Sequence, residues 1–263
     1  MQSFKEYLKE SNNYQALMLQ DAVKALKDHC SNSLQSGNIQ HFYRGSDSDS
    51  SIPRYSIVTS GGERRSKNFY DYYNIMIDDS SAARSMNMPR RKQSIIMATN
   101  SVLAEYYGKV YCVVPFNGTK IAVSDMKDVA SDDKFDVGDS ATSDTMSMTQ
   151  FDASFWSNLN PNGTTKSAEN RESINQILNK LKAKDPSAIA IFHKYFPEST
   201  NDPVKTILDA YNRFVNQHIK VYEAGNVPQS AFRSSSEAWF NGSAVMFEKE
   251  NLKYVKDALK KSS

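Results

Sequence analysis

Three polar residues stand at the ends of apolar runs in this sequence, and their types are those of a catalytic site. Arg44 lies between a tyrosine and a glycine, Thr99 closes an apolar run, and Glu237 opens the run Ala-Trp-Phe. A guanidinium offers a planar fork of donors that grips anions. A fixed carboxylate stabilises developing positive charge, and a hydroxyl orders its neighbours by hydrogen bonding. Arg44, Thr99 and Glu237 are therefore the candidate catalytic residues.

Each of these residues also has an ordinary structural interpretation. An arginine at a strand end is usually a surface charge, a glutamate before a turn is usually solvated, and threonine is common in strands. Only their combination, and the order in which they occur, favours a catalytic interpretation.

Six short apolar runs predict the strands that must position these residues. The runs span residues 40–45, 94–99, 110–116, 119–123, 237–240 and 243–247. Asn117-Gly118 and Asn241-Gly242 each separate two of them. Because asparagine and glycine both tolerate positive φ, these dipeptides predict two tight β-hairpins.

Apolar residues at helical spacing predict four helices around the strands. The stripes are Ala16, Leu19, Val23, Leu26 and Cys30; Ile174, Ile177, Leu178 and Leu181; Val204, Ile207, Leu208, Tyr211, Phe214 and Val215; and Leu252, Val255 and Leu259. Residues 124–166 are polar and predict a long excursion over the surface. Strands at both ends of the body with helices between them predict an α+β fold. No linker that divides the chain is evident.

The segments around the candidate residues resemble the motifs of a known family, the mono-ADP-ribosyltransferases of the arginine-serine-glutamate class. Tyr43-Arg44-Gly45 is similar to the family's aromatic-Arg-Gly strand, and Ser235-Ser236-Glu237 is similar to its Glu-bearing strand. Residues 96–100, with Ala104 and Tyr107-Gly108, are similar to its Ser-Thr-Ser strand. The resemblance covers most of the chain from about residue 37 onward.

The resemblance implies an overall organisation and a reaction. The fold would be an ADP-ribosyltransferase-like split β-sheet core over residues 37–263, with an N-terminal helix over residues 11–36 and an inserted helical segment. NAD would be the substrate, and no metal would take part. ADP-ribose would pass to a host protein or nucleic acid as nicotinamide leaves.

The resemblance also implies roles for single residues. Arg44, beside Gly45, would grip the phosphates or ribose of NAD, and Glu237 would stabilise the oxocarbenium-like transition state and hold the ribose hydroxyls. The hydroxyls of Thr99 and Ser94 would order the site. Further NAD-binding positions are Asn100, Tyr72 and Tyr73. The two tyrosines belong to an aromatic cluster over residues 69–74 whose rings could stack on nicotinamide, and the sequence does not distinguish which ring does so.

Two departures from the family pattern bear on activity. Ala98 stands where the family has the first serine of Ser-Thr-Ser, so Thr99 or Ser94 must substitute for it. Ser235 stands two residues before Glu237, where members that modify arginine carry a second glutamate. The acceptor is therefore expected to be another side chain, a nucleic-acid base or water.

Composition excludes several other classes of protein. The chain has 263 residues and a net charge of +2, which is typical of a globular protein of one or two domains. No apolar run approaches the roughly 18 residues of a membrane span. The two cysteines, Cys30 and Cys112, form no metal-ligand pair, and the four histidines have no zinc-site spacing. A membrane protein, a disulfide framework and a histidine-built metal site are therefore not expected.

Two further signals concern partners and location. Leu8-Lys9-Glu10 followed by Ser11 resembles the cleavage site of head-targeting peptides in T-even-like phages, which implies possible phage head components as partners. The chain would then occupy the virion interior and, after injection, the host cytoplasm. An amphipathic helix start is the alternative for these ten residues.

Basic clusters at Arg64-Arg65-Ser66-Lys67 and from Arg84 to Arg90-Arg91-Lys92 could contact phosphates, although such clusters are often a solvated face. Two alternative functions stay open at this point. The chain could be a catalytically inactive virion or interaction protein with the same fold, or a nucleic-acid-binding module.

The targeting interpretation predicts a processed chain in virions. Cleavage after Glu10 would leave 263 − 10 = 253 residues that begin at Ser11. Mass spectrometry of the intact protein from purified virions measures this mass. A virion protein that still begins at Met1 would contradict the cleavage.

Overall fold

The computed structural model describes residues 13–46, 52–62, 72–137, 145–160, 171–197, 199–232 and 235–262. These residues form two compact units. The first unit combines the chain up to residue 62 with residues 87–127 and 220–262. The second combines residues 72–86 and 128–219. Residues 1–10, with the predicted cleavage site, lie outside the described part.

A large antiparallel sheet of nine strands dominates the first unit. In chain order these strands are β1 (Asn13–Ala16), β2 (Tyr43–Ser46), β3 (Tyr55–Thr59), β4 (Ile95–Ala98), β5 (Lys109–Pro115), β6 (Lys120–Ser124), β9 (Ile219–Glu223), β10 (Glu237–Phe240) and β11 (Ser243–Glu248). Their order across the sheet is β1-β3-β11-β5-β2-β4-β10-β6-β9. Together with the helices, this sheet confirms a mixed α and β fold.

A narrow seam divides the sheet into two halves. At the seam, β2 pairs with β4 through Tyr43 opposite Ala98, the one register pair of these strands in the described residues. We call β1, β3, β11, β5 and β2 the first half, and β4, β10, β6 and β9 the second half. Neighbouring strands inside the first half share longer ladders, for instance the five register pairs of β11 with β5.

Both predicted hairpins are wrong, although their strands and turns form. Residues Asn117-Gly118 connect β5 to β6, and Asn241-Gly242 connect β10 to β11. In each case three other strands separate the two connected strands in the sheet. The glycines take the positive φ that such turns require, 78° at Gly118 and 138° at Gly242. Because a short turn cannot span three strands of a flat sheet, the sheet folds over so that its halves face each other.

An inner core fills the space between the two halves. Both contribute to it, with Val58, Val113 and Met246 from the first half and Met97 and Phe240 from the second. All five are at most 3% exposed. Burial of apolar side chains from both halves is what holds the folded-over sheet closed.

The outer face of the first half is covered by helices. The helices of this unit are α1 (Leu19–His29), α2 (Ser31–Gln35), α5 (Ser101–Glu105) and α11 (Leu252–Lys261). Leu26 of α1 and Val255 of α11 pack on Val114 and Phe247 of the sheet. The predicted apolar stripe of α1 is confirmed from Leu19 onward. Ala16 instead ends β1, which pairs with β3.

The second unit is mainly helical. Its helices are α3 (Tyr72–Asp79), α4 (Ser81–Ser85), α6 (Met148–Phe151), α7 (Ser157–Leu159), α8 (Arg171–Lys182), α9 (Pro186–Tyr195) and α10 (Pro203–His218), and a π-helix spans Asp152–Trp156. Two short strands, β7 (Phe135–Asp136) and β8 (Thr145–Met146), pair antiparallel. The helices predicted at residues 174–181 and 204–215 are confirmed as α8 and α10, although Leu208 of the second stripe is exposed.

The predicted surface excursion of residues 124–166 is wrong within its described part. Phe135, Phe151, Phe155 and Trp156 are all completely buried. Phe151 and Phe155 stack with their ring centroids 4.8 Å apart, and Phe135 packs on Tyr211 of α10 at 4.7 Å. A few aromatic side chains spaced through a polar segment are therefore enough to build the second core. In the described residues, no helix is long and apolar enough to cross a bilayer.

Gly45 is required by the close approach of α5 to β2. A Cβ atom at this position would lie 2.0 Å from the carbonyl oxygen of Ala104 and 2.6 Å from Cβ of Tyr107. The first of these contacts is with backbone, which cannot move without displacing the end of the helix. A side chain at residue 45 would therefore push α5 away from the strand.

Gly45→Ala is expected to destabilise the protein by about 1–3 kcal/mol, because it overpacks this contact. The matched control is Gly118→Ala, where a Cβ meets nothing within 4 Å and only the backbone φ of 78° is unfavourable. That control should cost roughly 1 kcal/mol. Chemical denaturation measures both. Equal losses would mean that the α5 contact does not constrain Gly45.

Candidate active site

The three candidate residues are carried by neighbouring strands. Strands β2, β4 and β10 are consecutive in the sheet, although their segments are far apart in the sequence. Tyr43 of β2 lies opposite Ala98 of β4, and Ala98 in turn lies opposite Glu237 of β10. Opposed residues share a face of the sheet, so these three side chains form one row. Thr99 follows the end of β4 directly, next to this row.

Glu237 is a buried carboxylate that forms an ion pair with Arg91. The residue is 6% exposed. Its Oε1 atom accepts hydrogen bonds from Nε of Arg91 at 2.9 Å and Nη2 of Arg91 at 2.6 Å. Arg91 is itself 5% exposed. Two charge-assisted donors that converge on one oxygen hold the carboxylate in a single orientation.

Arg91 belongs to a short segment that lies across the face of β10. The segment, Pro89–Gln93, ends in a single 3₁₀ turn over Arg91–Gln93, and we call it the strap. Trp239 follows Glu237 by two residues and therefore shares its face. Its Nε1 atom donates to the carbonyl of Pro89 at 2.9 Å, and the Arg91 guanidinium lies 5.9 Å from the centre of its ring. The strap is thus fixed to β10 at two points.

Thr99 links the end of β4 to the residue before Glu237. The Thr99 amide donates to the carbonyl of Ser236 at 2.9 Å, and the Ser236 amide donates to Oγ1 of Thr99 at the same distance. The Glu237 amide donates to the carbonyl of Met126 at 2.7 Å, and the Glu237 carbonyl accepts from Oγ of Ser124 at 3.0 Å. The backbone around Glu237 is therefore held from both sides of β10.

Arg44 lies at the seam of the sheet. It is 6% exposed, and its Nη1 atom donates to the carbonyl of Ile96 in β4 at 3.0 Å. Side chains alternate along a strand, so Arg44 leaves β2 on the face opposite to Tyr43 and Glu237. Its cross-strand neighbour is Tyr111 of the inner core. Arg44 thus lies two strands away from Glu237 on the opposite face, and its guanidinium joins the two halves of the sheet.

The other predicted NAD-binding residues of the first unit have local contacts. Ser94 is 1% exposed, and its hydroxyl donates to the carbonyl of Arg90 at 2.6 Å. Asn100 caps α5 by accepting the Val102 amide at 2.8 Å. Gly45 lies under α5, as described above. These contacts order the segments on either side of β4.

Tyr72 and Tyr73 belong to the second unit, where they pack in its core. Tyr72 is 1% exposed, stacks on Trp156 at 5.8 Å, and accepts a hydrogen bond from Asn160 at 2.6 Å. The Tyr73 amide donates to the buried Asp152 carboxylate at 2.9 Å. Stacking of either ring on nicotinamide stays a prediction.

The two cysteine thiols are poorly suited to nucleophilic chemistry. Burial raises the pKa of the Cys30 and Cys112 thiols to about 12, so both stay protonated at neutral pH. Within the described ranges, no group of three or more histidine, cysteine, aspartate or glutamate residues could hold a metal ion.

The observed position of Arg91 differs from the one that the sequence predicts. The basic run Arg90-Arg91-Lys92 predicts contact with phosphates. The structure buries Arg91 against Glu237 instead, while Arg90 is exposed. The cluster at residues 64–67 lies outside the described residues. One signal in the sequence indicates that Glu237 has a cationic partner without identifying Arg91: Glu237 opens a run with Trp239 that is too apolar to be exposed, and a buried carboxylate needs a cation.

Breaking the Arg91–Glu237 pair from one side is expected to destabilise the protein strongly. Arg91→Met and Glu237→Leu should each cost about 3–5 kcal/mol, because each removes one partner of a buried ion pair. The double variant should lose less than either single variant. Denaturant unfolding of all three forms a double-mutant cycle.

The exposed pair of Arg171 and Asp79 is the control for this cycle. These side chains are 57% and 32% exposed, so Arg171→Met should cost about 1 kcal/mol or less. Additive losses in the Arg91 and Glu237 variants would show that the two side chains are not coupled.

Comparison with protein-family models, curated proteins and solved structures finds no match for this chain. Its function is therefore inferred from its own residues and from the geometry around Glu237.

Proposed function

We propose that this protein is a mono-ADP-ribosyltransferase of the arginine-serine-glutamate class, which cleaves NAD and passes ADP-ribose to a host macromolecule. One observation carries the proposal. Strands β2, β4 and β10 are consecutive in the sheet; β2 holds Arg44, β10 holds Glu237, and Thr99 directly follows β4. Three motifs that are distant in the sequence and similar to those of one family thus lie on adjacent strands, with the Arg44 side chain on the face opposite to Glu237.

The seam of the sheet gives further support. An ADP-ribosyltransferase-like core has a split sheet, and here the sheet narrows to one register pair between β2 and β4. Arg44 and Ala98 lie at this seam, and Glu237 lies one strand further on. The seam is where the proposed NAD site would form.

The proposed reaction breaks the bond between nicotinamide and ribose. The electron pair of this bond moves to the pyridinium nitrogen, so nicotinamide leaves neutral and positive charge develops on the ribose. The Glu237 carboxylate stabilises this charge, because a fixed negative group in a site of low dielectric acts without reorganisation. The acceptor then forms a bond to the ribose carbon and loses a proton.

Ser235 makes a guanidinium acceptor unfavourable in this proposal. It precedes Glu237 by two residues and is only half-buried. A serine hydroxyl carries no charge that would attract a cationic acceptor. The acceptor is therefore a different protein side chain, a nucleic-acid base or water. The phage location is part of the same proposal, with the chain packaged in the head and acting in the host after injection.

The ion pair with Arg91 favours a second candidate function. Glu237 already has a partner inside the protein, and together they fix the strap to the sheet. In a chain that kept this fold without catalysis, the same pair would be purely structural. That chain would be a virion or interaction protein.

Glu237→Gln distinguishes these two functions. In the transferase, this change should lower nicotinamide release from NAD roughly 100-fold or more, because it removes the charge that stabilises the transition state. The measurement uses labelled NAD with and without host lysate, and it follows both free nicotinamide and label on protein or nucleic acid.

Glu248→Gln is the matched control. Glu248 is also a buried glutamate of the sheet, 7% exposed, and it pairs with Lys109 at 2.5 Å on β11 of the first half. This variant should keep the rate of the wild type. A wild-type protein that neither releases nicotinamide nor labels any macromolecule would overturn the transferase and favour the structural function.

A further inference from the structure

We infer that Arg91 is a positioning residue that orients the Glu237 carboxylate for NAD cleavage, a task that the residue opposite Glu237 in the sheet is unable to perform. This inference rests on the function proposed above. It assigns a role to a residue of the strap, which lies outside the three motifs.

The residue opposite Glu237 offers no hydrogen bond. Ala98 is the cross-strand partner of Glu237, and the side chains of such partners lie about 4.5–5.5 Å apart at Cβ. A hydroxyl at this position could reach the carboxylate. The methyl group of Ala98 can fill space there but can neither donate nor accept.

The hydroxyls of Thr99 and Ser94 each form a hydrogen bond with backbone. Oγ1 of Thr99 accepts the Ser236 amide at 2.9 Å. Oγ of Ser94 donates to the carbonyl of Arg90 at 2.6 Å, which ties the strap to the start of β4. Ser94 thus acts on the segment that carries Arg91.

Arg91 supplies the hydrogen-bond donors for the Glu237 carboxylate that Ala98 lacks. Its Nε and Nη2 atoms both point at Oε1, at 2.9 and 2.6 Å, so the carboxylate cannot rotate without losing two charge-assisted bonds. A rigid carboxylate matters for this chemistry, because stabilisation of a developing charge depends on groups that are already in place.

The strap is built to hold Arg91 still. Trp239 donates a hydrogen bond to the Pro89 carbonyl, and its ring lies beneath the Arg91 guanidinium. Arg91 is 5% exposed, and Trp239 is fully buried. The indole belongs to the same strand as Glu237, two residues on. Carboxylate, guanidinium and indole are therefore linked by direct contacts that fix the position of the strap relative to Glu237.

The test is a set of steady-state rates of nicotinamide release by the full-length protein with NAD. Arg91→Met should lower kcat roughly 100-fold and leave KM for NAD nearly unchanged, since a misplaced group loses rate without losing ground-state binding. Arg91→Lys should restore part of kcat, because an ammonium keeps the charge but cannot direct two fixed donors at one oxygen. Rates are divided by the folded fraction from thermal unfolding.

A rescue separates positioning from simple stability. Ala98→Ser, added to Arg91→Met, places a hydroxyl opposite Glu237 and should raise kcat above that of Arg91→Met alone. Lys109→Met is the control, because it breaks the ion pair with Glu248 in the first half of the sheet. It should leave kcat and KM unchanged. If Arg91→Met does not fold, the lower kcat and unchanged KM of Arg91→Lys carry the test.

The outcomes distinguish this inference from the proposed function. Turnover that is lost in Glu237→Gln but kept in Arg91→Met and Arg91→Lys would overturn the positioning role alone. A rise in KM without a fall in kcat would also overturn it, because Arg91 would then bind NAD directly. A wild-type protein without turnover would overturn both.

Discussion

A buried ion pair constrains how this protein is built around Glu237. Removing a carboxylate and a guanidinium from water costs several kcal/mol per ion, and only close and well-directed hydrogen bonds offset that cost. Arg91 provides two such bonds to one oxygen. Because Arg91 lies outside the sheet, the strap must be held against β10, and Trp239 holds it through the Pro89 carbonyl. Because the buried Glu237 carboxylate needs the Arg91 guanidinium beside it, the strap has to lie against β10.

Local patterns predicted the elements of the fold well, but they did not predict the partners of the strands. The apolar stripes of α8 and α10 and the runs that form β4, β5 and β6 are properties of short segments, which a sequence shows directly. An Asn-Gly turn is also local, and both turns form. The strands on either side of each turn pair elsewhere, and all four contribute side chains to the inner core between the two halves. That core depends on contacts between distant segments.

For the candidate site too, the sequence predicted local features but not the contacts between distant segments. Glu237 and Thr99 were visible as polar residues at strand ends, and the order of the strands brings their segments together. Arg91 was hidden in a basic run, where its neighbours Arg90 and Lys92 gave it the character of a surface charge. Its burial follows from Trp239 and Glu237, nearly 150 residues later in the chain. Gly45 was assigned to NAD by its motif, whereas the close approach of the Ala104 carbonyl requires a glycine there without any ligand.

The two departures from the family pattern differ in their consequences, because of where they lie relative to Glu237. Ala98 is opposite Glu237 in the sheet, where its methyl group can neither donate nor accept a hydrogen bond. Arg91 donates two hydrogen bonds to the same carboxylate from the strap, so in the proposed function cleavage of NAD survives this change. Ser235 precedes Glu237 in the chain, where a second carboxylate would face the acceptor. A hydroxyl replaces neither its charge nor its affinity for a proton. In the proposed function, the chain therefore keeps the half of the site that acts on NAD and differs in the half that chooses the acceptor. An enzyme altered in this way is expected to retain nicotinamide release and to modify groups other than arginine.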